Sequence, residues 1–292
     1  MTKPLIRPAA AARTAPRGRP APPRGRAGRW IRSHLVTMVG ILALLYLFVP
    51  IFVVVLFSFN QPTGRFNYTW VRFSTYSWTH PCDAAGICPA LLISLRIGLL
   101  ATLVATVLGT LAAFALGRHR FRGRSVANLL VFLPMATPEV VAGSSLLTLF
   151  INIGVPLGTL TIFIAHVMFC VSFVIVTVKA RLAGMDPRLE QAAMDLYANR
   201  TQTFLRVTLP LVFPGIVAAA LLSFSLSFDD FIITNFNAGS TVTFPMYVWG
   251  AYQRALPVQV NVIGTAMLVI TLLLVGLGRA LTRTRGARAG TG

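Results

Sequence analysis

The chain has 292 residues, 55% of them hydrophobic and 11% charged, with a formal net charge of +19. A soluble globule of this length needs far more polar surface, so the composition excludes that class and puts the chain in a bilayer. The positive excess would suit nucleic acid, but the Lys and Arg residues are sorted among the segments between apolar runs, which reports topology and speaks against a nucleic-acid partner.

Crossing roughly 30 Å of hydrocarbon takes about 20 apolar residues. Runs of that kind occur at 34–58, 89–117, 127–152, 159–178, 207–228 and 258–278. Stretches such as LLATLVATVLGTLAAFAL lack the alternation of a membrane barrel. The expected fold class is therefore all-α, a polytopic protein with six transmembrane helices.

Ahead of span 1, residues 1–33 are rich in Pro, Arg and Ala and contain no acid, which predicts a disordered basic tail. A secretory signal is the rival reading. It is disfavoured because span 1 is longer than a signal peptide's apolar region and no small-residue cleavage site follows it. Nine Lys or Arg residues lie in 1–33, four in RHRFRGR, five in 179–206 and four from Arg279 onward. The positive-inside rule makes these segments cytoplasmic, including both termini and the short tail 282–292.

The loop between spans 1 and 2 then faces outward. It contains Cys82 and Cys88, and an oxidising compartment permits a disulfide between them. A metal site with His80 is the alternative, but two Cys and one His fall short of a ligand set, so the disulfide is the expected outcome and no metal site is assigned. Arg96, near the outer end of span 2, can snorkel to the interface.

Span 3 holds Glu139 beside Pro134 and Pro138, which loosen the helix and free backbone carbonyls. An ionisable group at that depth is a functional candidate by default, unless it sits at the lipid edge. In span 4, His166 has no evident intramembrane partner and is expected to be a packed, hydrogen-bonded residue, and Cys170 an inert packing residue. Neither His166 nor the Ser pair at 144–145 supplies a catalytic constellation, so no catalytic residue is assigned.

Between spans 4 and 5 the apolar sequence is interrupted by LEQAAMDLYANRTQTFLRVTLP, residues 189–210. Asp186 and Pro187 predict a helix start. Leu189, Ala192, Ala193, Leu196 and Tyr197 follow at i, i+3, i+4, i+7 and i+8, giving a short helix with one apolar face. Asn199 suits the left-handed end of that helix, Thr201 can cap a second one, and the chain re-enters the membrane at Leu209-Pro210. Such an element either lies on the headgroups or serves as a knob for a cytosolic partner. At the outer end of span 5, Asp229 and Asp230 are placed to attract an incoming cation. A solvated turn, or pairing with Arg254, is the alternative.

EQAAMDLYANRTQTFLRVTLPLVFPGI resembles the EAA loop of permease subunits of bacterial ABC importers. Aligned on Leu209-Pro210, the motif's first position is Gln191, its alanines are Ala192 and Ala193, its glycine position is Tyr197 and its Ile position is Val207. Gln191 loses the motif's charge, which the neighbouring Glu190 can supply. Tyr197 replaces a glycine whose turn a tyrosine adopts poorly, a role Asn199 could take over. The resemblance covers residues 34–281. Through SFSLSFDDFIITNFNAG above all, the chain is similar to the spermidine/putrescine (PotC-like) permease family.

That resemblance implies a MetI-like type I importer permease in a bacterial plasma membrane. Its implied partners are ABC ATPase subunits, a homologous second permease (PotB-like) and an extracytoplasmic binding protein (PotD-like). The chain has no Walker A motif, so ATP and Mg would be bound by the ATPase and this chain carries no cofactor and is not itself an enzyme. Leu189, Ala192, Ala193 and Leu196 would grip the ATPase, with Glu190 or Asp195 fixing the polar register, while Glu139, Asp229 and Asp230 would line the cation path. Those acids also suit iron(III), thiamine or another organic cation. A secondary transporter is the rival class, but it would have no use for the loop 179–210.

Overall fold

The computed structural model describes residues 26–119 and 121–289, and among these the regular elements are helices, with one antiparallel bridge between Asn60 and Phe73. The expected tails fall largely outside the described residues, at 1–25 and 290–292. Where they do not, helix replaces tail: α1 starts at Arg26, and the last helix continues to Ala289.

The chain forms two compact units, one up to Val53 and one from Val54 onward. The first consists of most of α1 (Arg26–Phe57), whose stretch His34–Phe57 is long and apolar enough to cross a membrane. The second begins with the loop over 58–75 and the short helix α2 (Tyr76–Thr79), followed by α3 (Ile87–Arg118), α4 (Arg124–Ala136), α5 (Glu139–Asn152) and α6 (Thr159–Ala183). After α6 come α7 (Arg188–Asp195), α8 (Arg200–Thr203), a π-helical turn over Phe204–Thr208 and α9 (Leu209–Asp229). The unit ends with α10 (Ile232–Asn237), α11 (Phe244–Arg254) and α12 (Val258–Ala289).

α3, α6 and α9 pack together as the core of this unit. α3 presents Ala101, Ala105, Gly109 and Ala113 at every fourth position, and all four are buried. Small residues at that spacing let two membrane helices approach closely, where lipid tails offer no hydrophobic drive and packing must supply the attraction. Gly109 shows how close: a Cβ there would lie 2.6 Å from Cγ1 of Val174 on α6. Val174, Val178, Cys170 and Val212 complete this cluster. The other faces of α3 carry Leu99, Leu103 and Leu111, all exposed.

The third expected span is not continuous. α4 and α5 are bent by 104° at Thr137-Pro138. Thr137 is extended, as residues before proline tend to be, and Pro138 has no amide to carry the helix through. The six expected spans correspond to four unbroken apolar helices (His34–Phe57, α3, α6 and Arg200–Asp229), this bent pair, and the shorter apolar stretch Val258–Leu273 of α12.

The segment between α1 and α3 is held by side chains. Asn60 Nδ2 donates to Asn67 Oδ1 (2.6 Å) and to the Thr69 carbonyl (2.8 Å), its Oδ1 accepts from Val71 N (2.8 Å), and Asn67 Nδ2 donates to the Phe57 carbonyl (2.9 Å). Cys82 and Cys88 are joined by a disulfide with their Cα atoms 5.4 Å apart, so neither thiolate is left for a metal.

Candidate functional site

The residues singled out by the sequence fall into three places in the second unit. The first is the turn that α7 opens. Asp186 Oδ1 accepts the amide of Arg188 at 2.9 Å and so starts the helix, with Pro187 at its N-terminal boundary. α7 is shorter than the apolar spacing predicted, because it stops at Asp195 and leaves Leu196 and Tyr197 beyond its last turn.

The stop is a Schellman motif: Ala198 N donates to the Ala193 carbonyl (3.1 Å) and Tyr197 N to the Met194 carbonyl (3.0 Å). The left-handed residue this motif requires is Tyr197 itself, at φ 62°. Asn199 does not take over the turn. It is extended and caps α8 through a reciprocal pair, accepting from Gln202 N (2.8 Å) while Gln202 Oε1 accepts from Asn199 N (3.0 Å). Thr201 lies inside α8 and is not the cap.

Glu190 faces the bundle. Its Oε1 accepts from Arg118, at the end of α3, at 2.5 Å and from Thr208 Oγ1 at 2.7 Å. With the edge-on contact between Phe114 and Phe204 (centroids 5.1 Å apart), it fastens the turn to α3 and to the start of α9. Gln191, Ala192 and Asp195 are exposed and Ala193 is half-buried. Leu189 (46%), Leu196 (82%) and Tyr197 (98%) stand out from the chain. Leu209 and Pro210 open α9.

The second place is the C-terminal end of α9. Asp230 is not paired with Arg254. Its Oδ2 accepts from Thr234 N and Thr234 Oγ1, both at 2.8 Å, and lies 3.4 Å from His166 Nε2. His166 is thus packed and hydrogen-bonded, as expected, and Asp230 is a partner that the sequence did not make evident. Its Nε2 is also 2.9 Å from Thr234 Oγ1, and its Nδ1 is 2.7 Å from Ser227 Oγ. The side chains of His166 and Asp230 are 4% and 7% exposed, so the group forms a buried clasp between α6 and the α9–α10 junction. Asp229, one residue earlier, makes no ion pair or side-chain hydrogen bond among the described residues and lines an open cavity of about 580 Å³.

The third place is the bend. Glu139 is the first residue of α5, exposed and unpaired among the described residues. It therefore lies at a helix start beside the break rather than within a continuous span. α5 is held from its other side by α10, whose Asn237 Nδ2 donates to the Gly143 carbonyl at 3.3 Å. The structure brings Asp229 and Asp230 together at one end of α9 and the α7–α8 turn to the other.

Comparison with known proteins agrees with this architecture. Residues 105–285 match the family model described as "Binding-protein-dependent transport system inner membrane component". The spermidine/putrescine transport system permease protein PotC of Haemophilus influenzae is 36% identical over 239 residues, 82% of this chain and 92% of that protein. The putrescine transport system permease protein PotI of Escherichia coli is 35% identical over 246 residues, covering 82% of this chain and 87% of its own length. Among solved structures, a bacterial ABC transporter that imports the acidic polysaccharide alginate superposes with a TM-score of 0.60 at 16% identity, over 90% of this chain and 99% of that one. The MetNI methionine ABC transporter gives 0.56 at 15% identity, over 68% and 95%.

Proposed function

Because the chain belongs to the family of binding-protein-dependent transport inner membrane components and has the MetI-like permease fold, we propose that it is a pore-forming subunit of an ATP-driven importer of polyamines. Its closely similar relatives are spermidine and putrescine permeases, and it is a multi-pass inner-membrane protein. Both termini and the α7–α8 turn face the cytoplasm, in line with the Arg-rich segments there. ATP and Mg are bound by a separate ATPase subunit, a homologous PotB-like permease completes the pore, and a PotD-like binding protein delivers substrate outside.

The observation that carries this reading is the double attachment of the α7–α8 turn. Its outward side offers Leu189, Leu196 and Tyr197 to a cleft in the ATPase. Its inward side is bound through Glu190 to both Arg118 on α3 and Thr208 at the root of α9. A displacement imposed on the turn therefore moves two core helices together, which is what a lever must do. At the far end of α9, Asp230 is committed to His166 and Thr234, leaving Asp229 to meet a cation, with Glu139 as a second carboxylate on the path.

The test is ATPase activity and uptake in proteoliposomes holding the permease with its co-encoded subunits and binding protein, against spermidine, putrescine, thiamine, iron(III) and a sugar. Stimulation and uptake by a polyamine alone support the reading. Stimulation by another solute alone keeps the importer and removes the polyamine.

A further inference from the structure

Asp229 stands at the mouth of a cavity with aromatic walls. α11 lines it with Pro245, Val248, Trp249 and Tyr252, which the i, i+3, i+4 and i+7 spacing puts on one helix face. Phe228 and Phe231, on either side of the acid pair, form the opposite wall. The rings of Phe231 and Trp249 are 5.4 Å apart, centroid to centroid. Trp249 and Tyr252 are 56% and 61% exposed, so both rings are open to an occupant beside the Asp229 carboxylate.

We infer that this cavity is a substrate subsite: Asp229 pairs with one ammonium group of a polyamine, while Trp249 and Tyr252 hold the ammonium and adjoining methylenes against their ring faces. The inference rests on the polyamine reading above and adds to it the aromatic residues, which sequence gave no reason to select. Three features converge on a cationic occupant. Aromatic faces attract ammonium ions, and more strongly where water is scarce. Asp229 supplies a full negative charge. The C-terminal end of α9, a helix of 21 residues, adds the partial negative charge of its unpaired carbonyls at the same place. An anionic or sugar substrate would find no hydrogen-bond donor array here. A flexible diamine or triamine finds one carboxylate for an ammonium group and an apolar wall for the adjoining methylenes.

The experiment uses the complete complex in proteoliposomes. Trp249→Leu is expected to lower the initial rate of spermidine uptake by about 3- to 30-fold, the span of measured cation–π contributions, with Trp249→Phe within about twofold of wild type. Asp229→Asn is expected to lower it about tenfold or more. A second readout is independent of turnover. Cys82 and Cys88 are bonded and Cys170 is fully buried, so Tyr252→Cys adds the accessible thiol among the described residues. Its reaction with a water-soluble maleimide is expected to slow when spermidine-loaded binding protein is present.

Normal uptake by the Trp249→Leu and Asp229→Asn proteins, with wild type transporting spermidine, would overturn the subsite and leave the polyamine reading standing. A Tyr252→Cys thiol unreactive in the complex whether or not spermidine is present would also overturn it, since the second permease would then be filling the cavity. A wild-type complex that transports no polyamine would instead remove the reading beneath the inference.

Discussion

Tyr197 holds a conformation that suits glycine, at the position where the resembling motif has glycine. A bulky residue in the left-handed region costs about 1–3 kcal/mol, and here its almost fully exposed side chain recovers nothing from the chain itself. Tyr197→Gly should therefore stabilise the purified permease by about 1 kcal/mol, read as a higher unfolding temperature in detergent, whereas Tyr197→Val should lower it. That the residue stays despite this cost fits a side chain used against the ATPase. The same substitution should weaken association of the ATPase while stabilising the permease. Glu190 makes the complementary case. Glu190→Gln should preserve ATPase docking but reduce uptake per ATP hydrolysed, and a double-mutant cycle with Arg118→Gln should give a coupling energy of about 1 kcal/mol for this partly exposed pair. A coupling of zero would mean that Arg118 does not carry the lever. At this scale the sequence was legible where the partner lay nearby, as with Asp186 starting α7. It failed where the partner was distant: nothing local joins His166 to Asp230, 64 residues later, or Glu190 to Arg118, 72 residues earlier.

Among the elements, the contact between α3 and α6 depends on an absent side chain. Gly109→Leu would force atoms into Val174 and should cost about 1–3 kcal/mol or more, measured as lost yield of folded protein and a lower unfolding temperature. Val174→Gly in the same chain should recover part of that loss. Span positions were legible because a bilayer accepts only long apolar helices, and the observed ends of α3 and α6 depart from the expected ones by a few residues. The bend between α4 and α5 was half legible. Pro134 and Pro138 announced weakness, but a 104° turn needs something to hold the second arm, and that support, Asn237 on Gly143, comes from α10 nearly a hundred residues away. The short helix α7 was misjudged in length because its apolar spacing runs on through residues that the Schellman turn redirects.

For the whole molecule, topology is the prediction that sequence carries most directly. Cysteines replacing Arg122 or Gly184 should react with an impermeant reagent from the cytoplasmic side alone, and a cysteine replacing Arg65 from the outer side alone. Labelling in intact and inverted vesicles checks both, and the reverse pattern would invert the importer reading. Family and fold were legible because the loop motif and the acid pair are local and linear. The cavity beside Asp229 was not, since its walls come from α9, α11 and the junction between them, and only folding sets the face of α11 against Phe231.

The stretch from Arg200 to Asp229 is one continuous helix of 30 residues, roughly 45 Å long. One end is tied to the α7–α8 turn, and the other carries the Asp229 carboxylate. Binding events at the two ends thus bias the position of a single rod, and linkage makes their influence reciprocal. On the proposed reading, the factor by which nucleotide on the ATPase changes the affinity for a cation at Asp229 must equal the factor by which that cation changes the affinity for nucleotide.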